Sequence, residues 1–280
     1  MDTYDTLVLT GASQKGFVML GALQCALDNY FLKDITTYIG TSSGALMAYL
    51  YIIGYTPIEI IVYVCTNKVI ENLQTFNIMD MIQGKGATSF QCIHEHLEKM
   101  TISKIGYLPT LQDLKEKYGK ILICITHNIT ENKTEYLSSD NYPTLPCITA
   151  LRMSCNLPLI FDKFKYGHSF YVDGGLSDNF GIQLGDKLGK KVLGLSLISE
   201  ILESSDETDN TDIGMLEYIY KIMMVPITCS AQYKANQASD KCKVITLKSP
   251  MKKFFNFDMK STEKMNMFVM GYDQMSKENL

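Results

Sequence analysis

The chain has 280 residues, 46% of them apolar and 20% charged, with sixteen methionines and no tryptophan. These are the proportions of a globular protein, not of a disordered or fibrous one, and the length allows a large core in one big α/β domain or in two small ones. A net charge of −4 gives no basic surface of the kind that nucleic-acid binding needs, so nucleic acid is not expected as a partner.

Residues 6–10 form an apolar run bounded by threonines and read as a buried first strand. A loop over residues 11–16 leads into an apolar helix over 17–27, and a second strand over 35–41 is followed directly by a helix behind Ser42. Residues 45–65 carry a single charge, Glu59, but Gly54-Tyr55-Thr56-Pro57 interrupts them. Thr56 suits an N-cap, Pro57 the first helical position, and Glu59 completes a capping box. The reading is therefore two buried helices with a stop and restart, not one transmembrane helix. A loop at Gly84-Lys85-Gly86 precedes a helix near 89–100, and Thr110 caps a short helix that ends before Gly119. Residues 120–126 are a buried strand, with 135–137 pairing to it across a polar turn at 128–133. A helix over 144–155 and a strand over 170–172 follow, then a strand over 191–198 and an acidic Ser/Thr-rich surface loop over 203–212. A helix near 213–224, a strand near 243–248 and a helix near 262–276 finish the chain.

Strands alternate with helices throughout. This predicts the α/β class, with three α/β/α layers around a mostly parallel central sheet. Neither a repeat nor a domain boundary interrupts residues 1–280, so one domain is expected, with the motifs in residues 6–200 and a less patterned part over 201–280. The eight cysteines are scattered singly and form no C-x-x-C pair, which argues against zinc and redox motifs and for buried thiols in a reducing, cytosolic compartment. The start, Met1-Asp2-Thr3-Tyr4-Asp5, has no basic n-region, and no signal peptide is expected. The methionines are read as core filling.

Gly40-Thr41-Ser42-Ser43-Gly44 fits G-x-S-x-G between a strand and a helix, the context of a serine nucleophile elbow. A serine hydroxyl needs a base within hydrogen-bond reach. The four histidines are His94, His96, His127 and His168, so a triad histidine late in the chain is excluded. His94 and His96 stand two apart on a helix and cannot share a face; His127, at a strand end, and His168, beside a turn, stay open as bases. Asp173 is the better partner. It ends a strand and runs into Gly174-Gly175, where α/β folds place working groups; its plainer role is a turn aspartate satisfying local amides. The loop Thr10-Gly11-Ala12-Ser13-Gln14-Lys15-Gly16 offers successive amides before a helix, suited to an anion or oxyanion. Phe17 rules out a Walker loop. Lys15 orients the loop, meets an anionic head group or is simply solvated.

These three elements together resemble the patatin-like phospholipase family. In that family a G-G-G-x-[K/R]-G loop gives oxyanion amides, G-x-S-x-G gives the nucleophile, and D-G-[G/A] gives its partner without a histidine. Gly11 to Gly16 matches the loop, with Ala12 and Ser13 in place of the second and third glycines. The block from Ala150 through Arg152, Ser154, Asn156 and Pro158 to Phe161 resembles the one before the family's aspartate, and Asp173 through Asp178 and Asn179 matches its continuation. The resemblance implies a patatin-like fold with Ser42 as nucleophile and Asp173 as a largely buried base. It places the oxyanion on the amides of Gly11, Ala12, Ser13 and Ser43, with Lys15, Gly16, Gly40, Gly44, Gly174 and Gly175 supporting the motifs.

The implied reaction is phospholipase A-type cleavage of a fatty acyl ester through an acyl-enzyme, with no metal and no cofactor. Its substrate is a phospholipid or other acyl lipid at a peripheral membrane surface. Rival expectations are another lipid ester or thioester, an idle lipid-binding protein of the same fold, and an α/β-hydrolase using His127 or His168. Lys252-Lys253-Phe254-Phe255-Asn256-Phe257 is basic and aromatic, as an interface contact would be. If Ala12 or Ser13 needs positive φ, losing glycine there costs about 1 kcal/mol.

Overall fold

The computed structural model describes residues 3–73, 86, 88–199, 215–250 and 259–278. Strand β1 (Thr6–Leu9) pairs in parallel with β2 (Thr37–Thr41), and β2 pairs in parallel with β3 (Ile121–Asn128). Three antiparallel strands join at β3: β4 (Lys133–Leu137) on β3 itself, then β5 (Phe164–Tyr166) on β6 (Ser169–Asp173), with β6 also on β3. On the other side of β1, β7 (Val192–Ser199) and β8 (Cys242–Ser249) continue the parallel set. The order across the described sheet is β5-β6-β3-β2-β1-β7-β8, with β4 also on β3.

The described helices are α1 (Gly16–Asp28), α2 (Ser43–Ile52), α3 (Pro57–Thr66), α4 (Gln91–Ile105), α5 (Leu111–Tyr118), α6 (Cys147–Ser154), α7 (Gly175–Asp178), α8 (Ile182–Leu188), α9 (Met215–Asn236) and α10 (Ser261–Ser276). The two-residue period of a strand sends alternate side chains to opposite faces. Leu7, Leu9, Tyr38 and Leu122 join one buried cluster with α1, α2, α3 and α10. Val8, Ile39, Ile123 and Ile125 join another with Phe180, Ile182 and Ala231 of the α8 and α9 side. The expected three-layer α/β/α arrangement, a mostly parallel sheet with helices on both faces, is what the chain forms.

The capping box at Thr56 is present: the Glu59 N–H donates to Thr56 Oγ1 (3.3 Å) and the Thr56 N–H to Glu59 Oε2 (2.7 Å). Helices α2 and α3 meet at a bend of 115°, and no single described helix is long and apolar enough to cross a membrane. Four elements differ from the sequence reading. Helix α9 continues past Pro226 to Asn236, beyond the end expected near residue 224. The ring costs an interior helix one hydrogen bond, and Pro226 itself is exposed. The short strand β5 and the helices α7 and α8 were not foreseen, being too brief to show a period. Residues 84, 85, 203–212 and 252–257 lie outside the described residues.

Helix α10 closes the α1 side of the sheet. A methyl group at Gly21 would overlap the Phe268 carbonyl oxygen, and one at Gly271 the Val18 carbonyl oxygen, so the two helices touch backbone to backbone. Helix propensity alone favours alanine over glycine by about 1 kcal/mol. The contact reverses the sign: Gly271→Ala is expected to destabilise by about 1–3 kcal/mol in equilibrium urea unfolding, and a gain in stability would contradict the packing described.

Candidate active site

Strand β3 carries two neighbours on one edge. β2 pairs with Ile121 to Ile125 and β6 with Thr126 to Asn128, while β4 overlaps both registers at Cys124 to Asn128 and so occupies the opposite edge. β2 runs parallel to β3 and β6 antiparallel. They therefore run towards each other and stop where they meet, with Thr41 paired to Ile125 and Asp173 to Thr126. The next residue after β2 is Ser42.

At Ser42 the chain turns straight from β2 into α2. Its φ of 53° and ψ of −124° are strained for any residue but glycine. The turn is tight because α2 lies close against β2 and β1: a methyl at Gly40 would come within 2.5 Å of Ala45 Cα, and one at Gly44 within 2.6 Å of Leu9 O. The Ser42 N–H donates to Ser154 Oγ (2.9 Å), and the Ser154 hydroxyl donates to Ile125 O (2.6 Å). Ser154 is fully buried at the end of α6. The same segment holds the other strand end: the Asp173 N–H donates to Asn156 O (2.9 Å) and the Gly174 N–H to Ser154 O (3.2 Å). Sequence reasoning noted Ser154 as part of a motif block and missed that it joins the two halves of the site.

Asp173 is 5% exposed. Its Oδ1 accepts the Gly175 N–H (2.7 Å), and the Ser42 side chain is close enough to lower the pKa of the carboxyl. Burial pushes the Asp173 carboxyl up to about 6, against the lowering effects of Ser42 and the Gly175 N–H. Gly174 has no room for a side chain because Ile125 O sits there, and a methyl at Gly175 would come within 3.0 Å of Asp173 Oδ1. The buried Cys155 thiol also lies beside Ser42 and Asp173, and burial raises its pKa.

The glycine-poor loop is clamped from the Asp173 side. Asn179 accepts the Gly11 N–H at its carbonyl (3.0 Å), while its side-chain amide donates to Thr10 Oγ1 and Gly11 O, both at 3.1 Å. Ala12 has an ordinary φ of −138°, but Ser13 has φ 48°, so the loss of glycine costs about 1 kcal/mol at Ser13 and not at Ala12. Of the four amides expected to face an oxyanion, two have acceptors within the protein: Gly11 bonds Asn179 O, and Ala12 bonds Ser43 Oγ (3.0 Å). The Ser13 amide opens a single 3-10 turn over Ser13–Lys15 and the Ser43 amide the first turn of α2, where N–H groups have no intrahelical acceptor. Gly16 starts α1. Burial lowers the pKa of Lys15.

Two cavities meet at Ser42 and Asp173. The larger, about 370 Å³, is bordered by Lys15, Asn179, Ser196, Thr228 and Gln232 as well as Ile227. The other, about 190 Å³, runs between α1, α2 and α4 and is walled by Phe17, Leu20, Met47, Leu50, Leu97 and Met100. His96 lies on the wall of the apolar cavity with its Nδ1 bonded to the Tyr63 hydroxyl (3.0 Å), while His94 pairs with Glu98 (3.2 Å). His127 pairs with Val172, one step along from the Thr126–Asp173 pair. Strand alternation therefore sends it to the opposite face of the sheet from Asp173. His168 sits in the turn between β5 and β6, at the end of β6 away from Asp173.

A family model described as patatin-like phospholipase matches residues 7–185. The chain belongs to the patatin-like phospholipase family. A protein of Invertebrate iridescent virus 6, named a probable lipid hydrolase, is 36% identical over 194 residues, covering 67% of this chain and 65% of its own length. The chain thus spans just under two thirds of that relative. Among solved structures, VipD from Legionella pneumophila is similar with a TM-score of 0.53 and 14% identity, over 98% of this chain and 66% of VipD. ExoU in its complex with SpcU from Pseudomonas aeruginosa gives 0.55 and 16% identity, over 97% of this chain and 50% of that one. At such identities the likeness is one of fold: a central sheet flanked by helices.

Two outcomes follow from the hydrogen bonds and burial at the strand ends. Ser154→Ala leaves the Ser42 N–H without its acceptor and is expected to cost about 1–3 kcal/mol in urea unfolding; an unchanged midpoint would contradict the bridge. For Asp173 the folded carboxyl holds its proton more tightly than the unfolded one, so stability falls as pH rises from about 4 to about 6, by about 3 kcal/mol in all. Asp173→Asn is therefore expected to be more stable than the parent protein at pH 8, with the difference vanishing below pH 4. Unfolding curves at both pH values check this, and equal or lower stability of the variant at pH 8 would contradict it.

Proposed function

We propose that this chain is a phospholipase A-type lipid acyl hydrolase working through a Ser42–Asp173 dyad. The observation that carries the reading is the strained Ser42 backbone turn set beside a buried carboxylate where two cavities meet, one walled by apolar side chains and the other bordered by Lys15 and Asn179. The name of the iridescent-virus relative agrees with a lipid substrate.

In this mechanism the acyl chain enters the apolar cavity and the head group faces Lys15 and Asn179. Asp173 takes the Ser42 proton as Ser42 Oγ bonds to the ester carbonyl carbon. A carboxyl near 6 is ionised at neutral pH yet more basic than an ordinary aspartate, which suits a general base. The carbonyl π electrons move onto oxygen, and the oxyanion is held by the Ser13 and Ser43 amides. Collapse of that intermediate breaks the ester C–O bond. The alcohol leaves as a lysolipid with the proton from Asp173, and water then releases the fatty acid from Ser42. The dyad does not choose the head group, so other acyl lipid esters and thioesters fit the same chemistry. The lipid is met at a peripheral membrane surface.

A second reading draws on one contact. The Ala12 amide is already bonded to the Ser43 hydroxyl, as in a lipid-binding protein whose dyad is idle. A profile of fatty acid release from phospholipid vesicles separates the two. The parent protein is expected to release fatty acid, and Ser42→Ala and Asp173→Asn to lose about 10³-fold or more of the rate. Full activity in either variant would end the dyad mechanism, and lipid binding without release by the parent protein would favour the idle reading.

A further inference from the structure

The apolar cavity that opens at Ser42 follows the length of α2. Ser43, Leu46, Met47 and Leu50 line it, a spacing that puts them on one face of the helix. Leu97 and Met100 of α4 line it as well, spaced for one face of that helix. At its side stand Tyr63 of α3 and His96 of α4, whose hydrogen bond (3.0 Å) ties those two helices together.

The end of the cavity away from Ser42 is closed by Leu50 and Met100, both buried. Tyr55, just beyond α2, holds these two positions together. Its N–H donates to Leu50 O (3.0 Å) and its hydroxyl to Met100 O (3.0 Å). One residue away on each helix, the buried Tyr49 and Thr101 hydroxyls are hydrogen-bonded to each other (2.9 Å). An apolar chain that pushed past this end would have to part those bonds. Leaving a buried polar group unpaired costs about fivefold or more in binding, whereas one more buried methylene gains about fourfold. Growth of the chain beyond the wall therefore brings no benefit.

From Ser43 to Leu50 is about two turns of α2, or about 10 Å along its axis. An extended chain advances about 3.5 Å over three backbone bonds, so about nine bonds fill that length. We propose that Leu50 and Met100 are the specificity-determining residues for acyl length, and that the substrate is an ester of a medium-chain acid of about ten carbons. This rests on the reading of Ser42 as the nucleophile at the mouth of the cavity, and it adds to that reading the class of acyl group.

The test is kcat/KM on p-nitrophenyl esters of saturated acids from about four to about sixteen carbons, with binding of the free acids to Ser42→Ala by calorimetry. For the parent protein kcat/KM is expected to rise by up to about fourfold per methylene to about ten carbons and then to fall. Met100→Ala is expected to move the peak to longer chains by about two carbons, with the gentler Leu50→Val moving it in the same direction. Leu50→Phe is expected to move it to shorter chains, a reversal that general loss of stability would not produce. His94→Ala, whose parent side chain pairs with Glu98 and does not line the cavity, is expected to keep the parent profile. Binding to Ser42→Ala is independent of catalysis. Affinity that levels off near ten carbons without any ester turnover would end the hydrolase reading and leave the length limit standing. The length limit is overturned if parent activity or Ser42→Ala affinity is still rising at sixteen carbons, or if no free acid binds. It is equally overturned if Met100→Ala and Leu50→Val leave the peak in place, or if Leu50→Phe moves it to longer chains.

Discussion

The end-to-end meeting of β2 and β6 along one edge of β3 is the constraint from which the site follows. Two strands that approach from opposite directions leave a break in the ladder, and buried backbone groups at such a break need partners from elsewhere. The end of α6 fills it. Ser154 and Asn156 accept the N–H groups of Ser42, Asp173 and Gly174, while Thr126 Oγ1 donates to Met153 O (3.0 Å) and fastens the same segment to β3. Register matters as much as proximity. A slip of β6 by one residue would turn Asp173 to the other face of the sheet, away from Ser42.

The site carries several local costs at once. Ser42 and Ser13 hold backbone angles that favour glycine, and Asp173 is an acid buried almost completely. Strain of this kind persists only when the surroundings fix it. Here the surroundings are a sheet packed on both faces, a helix pair in backbone contact at Gly21 and Gly271, and the Asn179 clamp that joins the Thr10–Gly11 turn to the Asp173 loop. The cost at Asp173 also explains why a stabilising substitution is available at the residue proposed to act as base: a group raised towards neutral pH by burial trades stability for basicity.

Much of this was legible in the chain. The alternating apolar runs at residues 6–10, 35–41 and 120–126 gave the parallel centre of the sheet because each strand is buried on both faces. The Thr56-Pro57 cap was legible because its hydrogen bonds are local, and the elbow because glycine is required on both sides of Ser42. What stayed hidden depends on contacts between distant residues. Ser154 is one serine in an ordinary helical stretch until Ile125 and Ser42 are seen on either side of it. Lys264 reads as an exposed helix lysine yet is fully buried against Glu71, with Nζ 2.7 Å from Oε1. The committed Ala12 amide depends on a side chain 31 positions away.

Fluorophosphonate labelling of Ser42 as a function of pH tests the central claim most directly, since only a serine whose proton is accepted by a nearby base reacts quickly. The rate is expected to rise as pH passes through about 6, to level off above it, and to be lost in Asp173→Asn. A rate that is flat between pH 5 and pH 8, or that survives unchanged in Asp173→Asn, would show that the carboxylate beside Ser42 is not its base.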